Sequence, residues 1–375
     1  MKYSSKFQNL DEKEIEKVSD VLKSDWLTKG PAVSEFESRI CRFIGCKNAI
    51  TVSSGTAALE LAIKSLGIPV GSEIITTPLT FAADANALIN MGMNPVLIDI
   101  KKDSFNIDPK KIEGKITTKT KAILFVDYAG IPCNIDKIKR IAEERNLYLI
   151  EDAAHALGSS YKGKKIGSIS NITIFSLHPT KIITTGEGGI ITTNNDKLAK
   201  KLRILRDQGL IRPKDFKWDY DLEESGNNYR MTDFQAAMGK IQLSKINHFI
   251  KKRIKVVKTY NNIFLDKKEF EIPTEYNDTE VSWYTYPLLL PEDISRDNVY
   301  KKLKSEGINV NVYYKPLSRL SLLQKKHGIN PEDYPCTEKV FKRLINLPVS
   351  PNIKEEEAKI IATKVLKVVE NTHDV

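Results

Sequence analysis

From residue 47 onward, short runs rich in β-branched residues alternate with helical runs, and this alternation constrains the chain more than any other feature. "NAITVSS" is followed by "GTAALELAIKSLG", "SEIITTP" by "TFAADANALINMG", and "NPVLIDI" closes the first set. After "DPKKIEGKI" come "KAILFVDYAG", the helical "NIDKIKRIAEERN", the strand "LYLIEDA", then "ITIFSL" and "GGIITTN". Each strand is a nearly continuous apolar run, so both of its faces must be covered, and strands separated by helices pair in parallel. The expected fold class is α/β, a mainly parallel sheet covered by helices. Such sheets bind ligands outside the carboxyl ends of their strands.

At 375 residues the chain exceeds what one core usually supports. A long helical pattern opens at "MTDFQAAMGKIQLSKI" and runs to about Phe264, beyond which the elements are shorter and more polar. The expected division is a large domain over residues 1–264 and a smaller α+β domain over residues 265–375. The smaller one holds "SWYTYPLLL", "INVNVYYKPL" and the helical "KEEEAKIIATKVLKVVE", and the opening helix "DEKEIEKVSDVLKS" is expected to pack near it.

A formal charge of +10 raises the question of nucleic acid. The basic residues, however, lie along amphipathic stretches such as "DKLAKKLRILRD" and "HFIKKRIKVVKTY", which makes them solvated helix faces. No nucleic-acid partner is expected, while the positive potential favours anionic small molecules. No apolar run approaches the roughly 20 residues of a membrane span, and the charged start lacks the apolar core of a signal peptide. The reading is a cytoplasmic protein without a membrane partner. Cys41, Cys46, Cys133 and Cys336 show neither CxxC pairing nor zinc spacing, so neither a disulfide framework nor a metal site is expected.

Polar residues collect where the apolar strands end. "SSGTAAL" places Ser54, Gly55 and Thr56 between a strand and a helix, as a plain N-cap or as the donors of a phosphate turn. "LYLIEDAAHA" brings Asp152 to a strand end with His155 one turn on; such a carboxylate caps a helix or pairs with a protonated pyridine nitrogen. "FSLHPTK" gives Ser176 at the next strand end and Lys181 in the following turn, a solvated charge or an amine held for chemistry. The "TGEGG" behind it is a tight turn or a place where backbone approaches a ligand. Together, a phosphate-holding turn, a strand-end carboxylate and a lysine about thirty residues beyond it fit pyridoxal 5'-phosphate as phosphate cup, pyridinium partner and Schiff-base amine.

These stretches, with "TPLTFAADANA", "VDYAG", "EDAAHALGSSYKGKKIGS", "FSLHPTKIITTGEGGIITTNN" and "GNNYRMTDFQAA", resemble the sugar-nucleotide aminotransferases of the DegT/DnrJ/EryC1 family, in family order over roughly residues 26 to 240. The resemblance implies a fold-type I aminotransferase dependent on pyridoxal phosphate, a homodimer with active sites at the subunit interface. It implies Lys181 as the Schiff-base lysine, Asp152 on the pyridine nitrogen, His155 near the cofactor's phenolic oxygen and Phe81 stacked on the ring. Thr56 and Ser176, with Ser54 and Gly55, would hold the phosphate, joined by Asn228 from the partner subunit. Lys29 and Arg230 resemble positions near the nucleotide sugar. Tyr313, Tyr314 and Lys315 of "VYYKP" are further substrate candidates, with Tyr313 standing where many relatives have His.

The implied substrates are an amino-acid donor, with glutamate expected, and a nucleotide-linked ketosugar. "VDYAG", "HALGS" and "YYKP" look most like enzymes that aminate C4 of UDP-linked 4-keto-6-deoxy-N-acetylhexosamines on the pseudaminic acid route, and GDP- and dTDP-linked ketosugar aminotransferases share the same core. A sugar-dehydratase branch carries histidine in place of the lysine, so Lys181 favours amine transfer. A regulatory protein that keeps the fold without turnover is the reading from another class, and the intact Lys181, Asp152 and Thr56 set speaks against it.

Overall fold

The computed structural model describes residues 9–373 apart from 214, 216, 217 and 275–277. Its main sheet is built from β1 (Asn48–Val52), β2 (Glu73–Thr76), β3 (Asn94–Leu97), β4 (Thr120–Val126), β5 (Tyr148–Asp152), β6 (Ile172–Ser176) and β7 (Gly189–Thr193). These seven strands lie in the order β1-β7-β6-β5-β4-β2-β3. Pairing is parallel from β6 through β5, β4 and β2 to β3. Only β7 runs against its neighbours, pairing antiparallel with both β1 and β6. The reversal has a local cause: "TGEGG" returns the chain beside β6 without a crossover helix, and strands joined that way run antiparallel.

Helices α1 (Glu12–Leu22), α2 (Pro31–Ile44), α3 (Gly55–Ser65), α4 (Ala82–Asn90), α5 (Ile135–Glu144), α6 (Asp196–Arg206) and α7 (Asp233–Phe264) accompany the sheet. Successive residues of a strand face opposite sides, and β4 shows it: Ile123 and Phe125 enter the core holding Phe36 and Ile40 of α2, whereas Leu124 enters the core holding Ala58 and Leu61 of α3. Helix α2 was not among the expected elements. It starts with Pro31 in its first turn, buries Val33, Phe36, Ile40 and Ile44 at helical spacing, and stops at Gly45 with φ 79°.

Helix α7 opens with a capping box of Thr232 and Gln235. Its Asp233 carboxylate accepts the N–H groups of Gly30 at 2.8 Å and Ala32 at 3.0 Å, tying the start of α2 to it. Helix α1 lies on α7, where Glu14 accepts from Gln242 and Lys245, both at 2.7 Å. The expectation that α1 packs near the C-terminal part is met at one point just before the helix, the 2.9 Å bond from Asn9 to Asn352.

Beyond α7, β8 (Tyr286–Leu289) pairs antiparallel with β9 (Leu344–Leu347), surrounded by α8 (Arg296–Ser305), α9 (Ser321–His327), α10 (Pro335–Arg343) and α11 (Glu355–His373). "INVNVYYKPL" forms isolated bridges at Ile308 and Asn311, the latter to Asn346, rather than a strand. The apolar core here joins Val299, Leu303, Ile345 and Val365 to Val256, Tyr260 and Phe264 of α7, and it also takes in Leu79 and Tyr128 from the loops after β2 and β4. The C-terminal segment is thereby packed against the carboxyl edge of the main sheet. Among the described residues, no helix is long and apolar enough to cross a membrane, and no cluster of His, Cys, Asp and Glu has the arrangement to hold a metal ion. All four cysteines are free thiols.

Candidate active site

The carboxyl ends of β1, β2, β4, β5 and β6 open into one cavity of about 360 Å³, within the usual range for a small-molecule site. Ser54, Gly55 and Thr56 line it from the start of α3, Phe81 from the start of α4, Asp152 and His155 from the end of β5, and Ser176 and Lys181 from the end of β6. Tyr313 and Tyr314 close it from the C-terminal segment.

Both readings of the α3 start coexist. Ser54 Oγ caps the helix by accepting the Ala57 N–H at 3.1 Å, while the first N–H groups of a helix, here those of Gly55 and Thr56, have no intrahelical acceptor. Gly55 lets the two elements come close: a Cβ on it would lie 3.1 Å from Ser176 Cβ, tight enough that Ser176 would have to give way by a few tenths of an ångström. Asp152 is 7% exposed, and its Oδ1 accepts the Ala154 N–H at 2.9 Å, the local capping role open to a strand-end carboxylate. His155 Nε2 bonds the Tyr314 hydroxyl at 3.0 Å, and its Nδ1 is buried without a partner among the described residues. Phe81, 57% exposed, stands at the rim with its ring centroid 5.3 Å from that of Tyr314.

Four of the expected residues do not line this cavity. Lys29 and Arg230 converge on Asp207, at 2.6 Å and 2.5 Å, and Asn228 forms a backbone bridge with the same aspartate. Lys315 faces a separate surface groove with Arg319 and Lys342.

Tyr284 belongs to the cavity and was not expected there. Its ring stacks on His155 at 4.0 Å between centroids and 18° between planes, Lys181 Nζ lies 4.5 Å from its centroid, and its hydroxyl bonds Thr180 at 3.3 Å. The aromatic run "SWYTYP" was the available signal, but it reads equally as core strand.

The profile of the DegT/DnrJ/EryC1/StrS aminotransferase family matches residues 8–366. The chain belongs to this family. A UDP-4-amino-4,6-dideoxy-N-acetyl-beta-L-altrosamine transaminase of Campylobacter jejuni (serotype O:23/36) is 38% identical over 97% of this chain and 96% of its own. The solved structure of Helicobacter pylori PseC, an aminotransferase involved in pseudoaminic acid biosynthesis, superposes with a TM-score of 0.94 at 33% identity, over 98% of this chain and 99% of that one. The PLP-form of the putative sugar aminotransferase Spr1654 of Streptococcus pneumoniae has a TM-score of 0.92 at 30% identity, over 97% of both chains. This DegT/DnrJ/EryC1/StrS chain is thus a fold-type I aminotransferase that uses pyridoxal phosphate.

The residues of this family member fit that cofactor. The α3 start and the Ser176 hydroxyl, close to each other across the bare Gly55, offer the N–H and O–H donors an anion needs, and the buried Asp152 carboxyl lines the same cavity. Val126, Ala154 and Ile174 give the space between apolar walls, and the unpartnered His155 Nδ1 leaves one ring nitrogen for a ligand.

The electrostatics of the site follow from burial. Burial pushes the Asp152 carboxyl up, opposed by the Ala154 N–H and the Lys181 charge. Burial, then Lys181, holds the His155 imidazole well below its ordinary value, so that ring is neutral. Burial would raise the Tyr284 hydroxyl, but the Lys181 charge, with the neighbouring Thr180, Tyr313 and Tyr314 hydroxyls, brings it below the usual tyrosine value.

Proposed function

We propose that this aminotransferase moves an amino group from an amino acid, glutamate first among candidates, to C4 of a nucleotide-linked 4-keto-6-deoxysugar of the UDP-N-acetylhexosamine type. The observation that carries the reading is Lys181 in one cavity with Asp152 and the α3 start. The named activity of the Campylobacter relative supports the sugar.

Pyridoxal phosphate supplies, when bound, the electron sink that lets an amino group pass between the two substrates. Lys181 would hold it through Nζ, and with that amine free would act as the base that takes the proton from the donor's α-carbon and as the acid that supplies one to the sugar's C4. Asp152 would accept the hydrogen bond of the pyridine nitrogen's N–H and so favour its positive form. Ser54, Gly55, Thr56 and Ser176 bind the phosphate, Phe81 covers the ring, and the neutral His155 meets the phenolic oxygen. Tyr313 and Tyr314 would contact the sugar nucleotide, whereas Lys315, on the separate groove, is not placed to do so from its own cavity.

The enzyme acts as a homodimer with shared sites. Asn228, Arg230 and Lys29, gathered around Asp207 away from their own cavity, serve the partner's phosphate and nucleotide. The reading also keeps the large domain at residues 1–264 and the smaller at 265–375. All strands of the seven-stranded sheet precede that division, and β8 and β9 follow it.

A panel of UDP-, GDP- and dTDP-linked 4-ketosugars with glutamate tests the function. UDP-linked turnover is expected to dominate, and a preference for a GDP or dTDP sugar overturns the nucleotide assignment. Borohydride reduction and peptide mapping are expected to put the phosphopyridoxyl mass on Lys181; label on another lysine removes the site.

A further inference from the structure

Asp84 stands in the first turn of α4 and is 1% exposed. An acidic residue there usually meets the helix N-terminus and water; this one turns inward. Its Oδ2 accepts the Thr80 hydroxyl at 2.5 Å, and its Oδ1 is buried with no donor among the described residues. Within hydrogen-bond reach is the carboxyl of Asp152. Two carboxyl groups that face each other out of water do not both ionise, because like charges and desolvation both oppose it. A proton between them supplies the donor that Asp84 Oδ1 lacks and leaves the pair with a single negative charge.

We propose that Asp84 and Asp152 share one proton, resident on Asp84, which donates to Asp152 and so holds the Asp152 carboxylate oriented toward the cavity. The residence follows from the surroundings. Burial, then the Asp152 charge, pushes Asp84 well above the usual carboxyl range, and the Ala154 N–H and Lys181 favour charge on Asp152. Asp84 is then a positioning residue, acting through Asp152. Its bearing on catalysis rests on the reading of Asp152 as partner of the pyridine nitrogen, whereas the shared proton itself does not.

Other charged groups face the pair from each packed element. Lys181 faces both carboxyls from the loop after β6, and Asp127, beside Glu151, faces Asp152 from the end of β4. His155 is neutral, and burial raises the Tyr314 hydroxyl. Lys181 is the cation among these groups. Its removal lets Asp84 keep its proton to higher pH.

The test uses the full chain, without cofactor and loaded with pyridoxal phosphate. Infrared difference spectra of the cofactor-free protein at neutral pH are expected to show a protonated-carboxyl carbonyl band that Asp84→Asn lacks and Glu151→Gln retains. An identical band pattern in wild type and Asp84→Asn overturns the proposal. Denaturant unfolding gives a second readout. A carboxyl raised in the folded state contributes stability at low pH that is lost as pH climbs from its unfolded value, about 3.9, through its folded one. Wild type is therefore expected to lose stability between pH 5 and 8 more steeply than Asp84→Asn, which is neutral throughout; equal slopes overturn the proposal.

In the loaded enzyme, Asp84→Asn keeps a donor toward Asp152, and Asp84→Leu does not. Asp84→Leu is expected to lower kcat about ten- to a hundredfold with little change in KM and to alter the pH dependence of the cofactor spectrum, with Asp84→Asn restoring most of the rate. Equal kcat in the two variants overturns the orienting role. Should Asp84→Leu not fold, the infrared band and unfolding slopes of Asp84→Asn decide. Asp152→Asn separates the two readings: a cofactor spectrum it leaves unchanged removes Asp152 from the pyridine nitrogen, while the band lost in Asp84→Asn still establishes the shared proton.

Discussion

Lys181 Nζ lies 4.5 Å from the centroid of the Tyr284 ring, the ring that stacks on His155. A cation over an aromatic face gains about 0.5–2 kcal/mol, depending on how far it is desolvated. Tyr284 thus sets where the lysine amine rests. Tyr284→Leu, which removes the face, is expected to lower turnover about 3- to 30-fold with the fold intact by circular dichroism. Tyr284→Phe, which keeps it, should stay within about threefold. A wild-type rate in Tyr284→Leu would show that the contact is packing alone.

Asp152→Asn keeps the shape of a buried side chain and loses its charge. Turnover is expected to fall at least about a hundredfold, the scale of removing a preorganised electrostatic partner, while the denaturation midpoint changes little. Steady-state kinetics beside an unfolding curve checks both halves.

Glu151 and Asp127 form a second buried carboxyl pair behind the site. Glu151 is pushed up to about 7 by burial, against the hydrogen bond from Thr173, and Asp127 is raised by burial and by the Glu151 charge. Glu151 therefore holds a proton in the folded chain that the unfolded chain releases near pH 4.3, approximately. Its stabilising contribution is full below that value and falls away as pH rises to about 7. Glu151→Gln should flatten this part of the stability profile and gain on the order of 2 kcal/mol over wild type at pH 8. Unfolding curves measured every half unit would reveal it, and a steeper profile in the variant would contradict the sign.

The proposed sharing of sites between subunits is tested by a mixing experiment. Lys181→Ala and Asn228→Trp homodimers are each expected to be nearly inactive. Their heterodimer should recover about half the activity per site pair, because one of its sites takes an intact Lys181 from the Asn228→Trp chain and an intact Asn228 from the Lys181→Ala chain. Verified heterodimers without recovered activity would return Asn228 and Arg230 to a purely local role around Asp207.

The layout of the large sheet was legible because continuous apolar runs, punctuated by Gly and polar residues, mark buried strands and their ends. Lys181, Asp152, Ser176 and the "SSGT" turn stand at such ends, so strand position alone predicted that they would meet, and the cavity gathers them. Helix α2 carried readable signals too, Pro31 at its start and Gly45 after its end. Tyr284 and Asp84 were beyond a sequence reading for another reason. Tyr284 reaches the cavity only because the C-terminal segment folds over the sheet edge, and nothing in "TFAADANA" says that Asp84 points inward. Both depend on packing between elements distant along the chain, which local spacing does not encode.

The lone reversed strand has one more consequence. Ser176 at the end of β6 is paired with Gly189 at the start of β7, so the loop over residues 177–188 leaves and re-enters the sheet at the same rung. Gly189 also packs so closely on the Ser54 carbonyl that a Cβ there would sit 2.3 Å from its oxygen. A slip of β7 that brought Ile190 to that rung would drive a branched side chain into the α3 turn and turn every β7 side chain to the opposite face. The ladder thus acts as a ruler: it fixes where the loop that carries Lys181 leaves and rejoins the sheet beside the α3 turn, and a miscounted rung is rejected by steric exclusion.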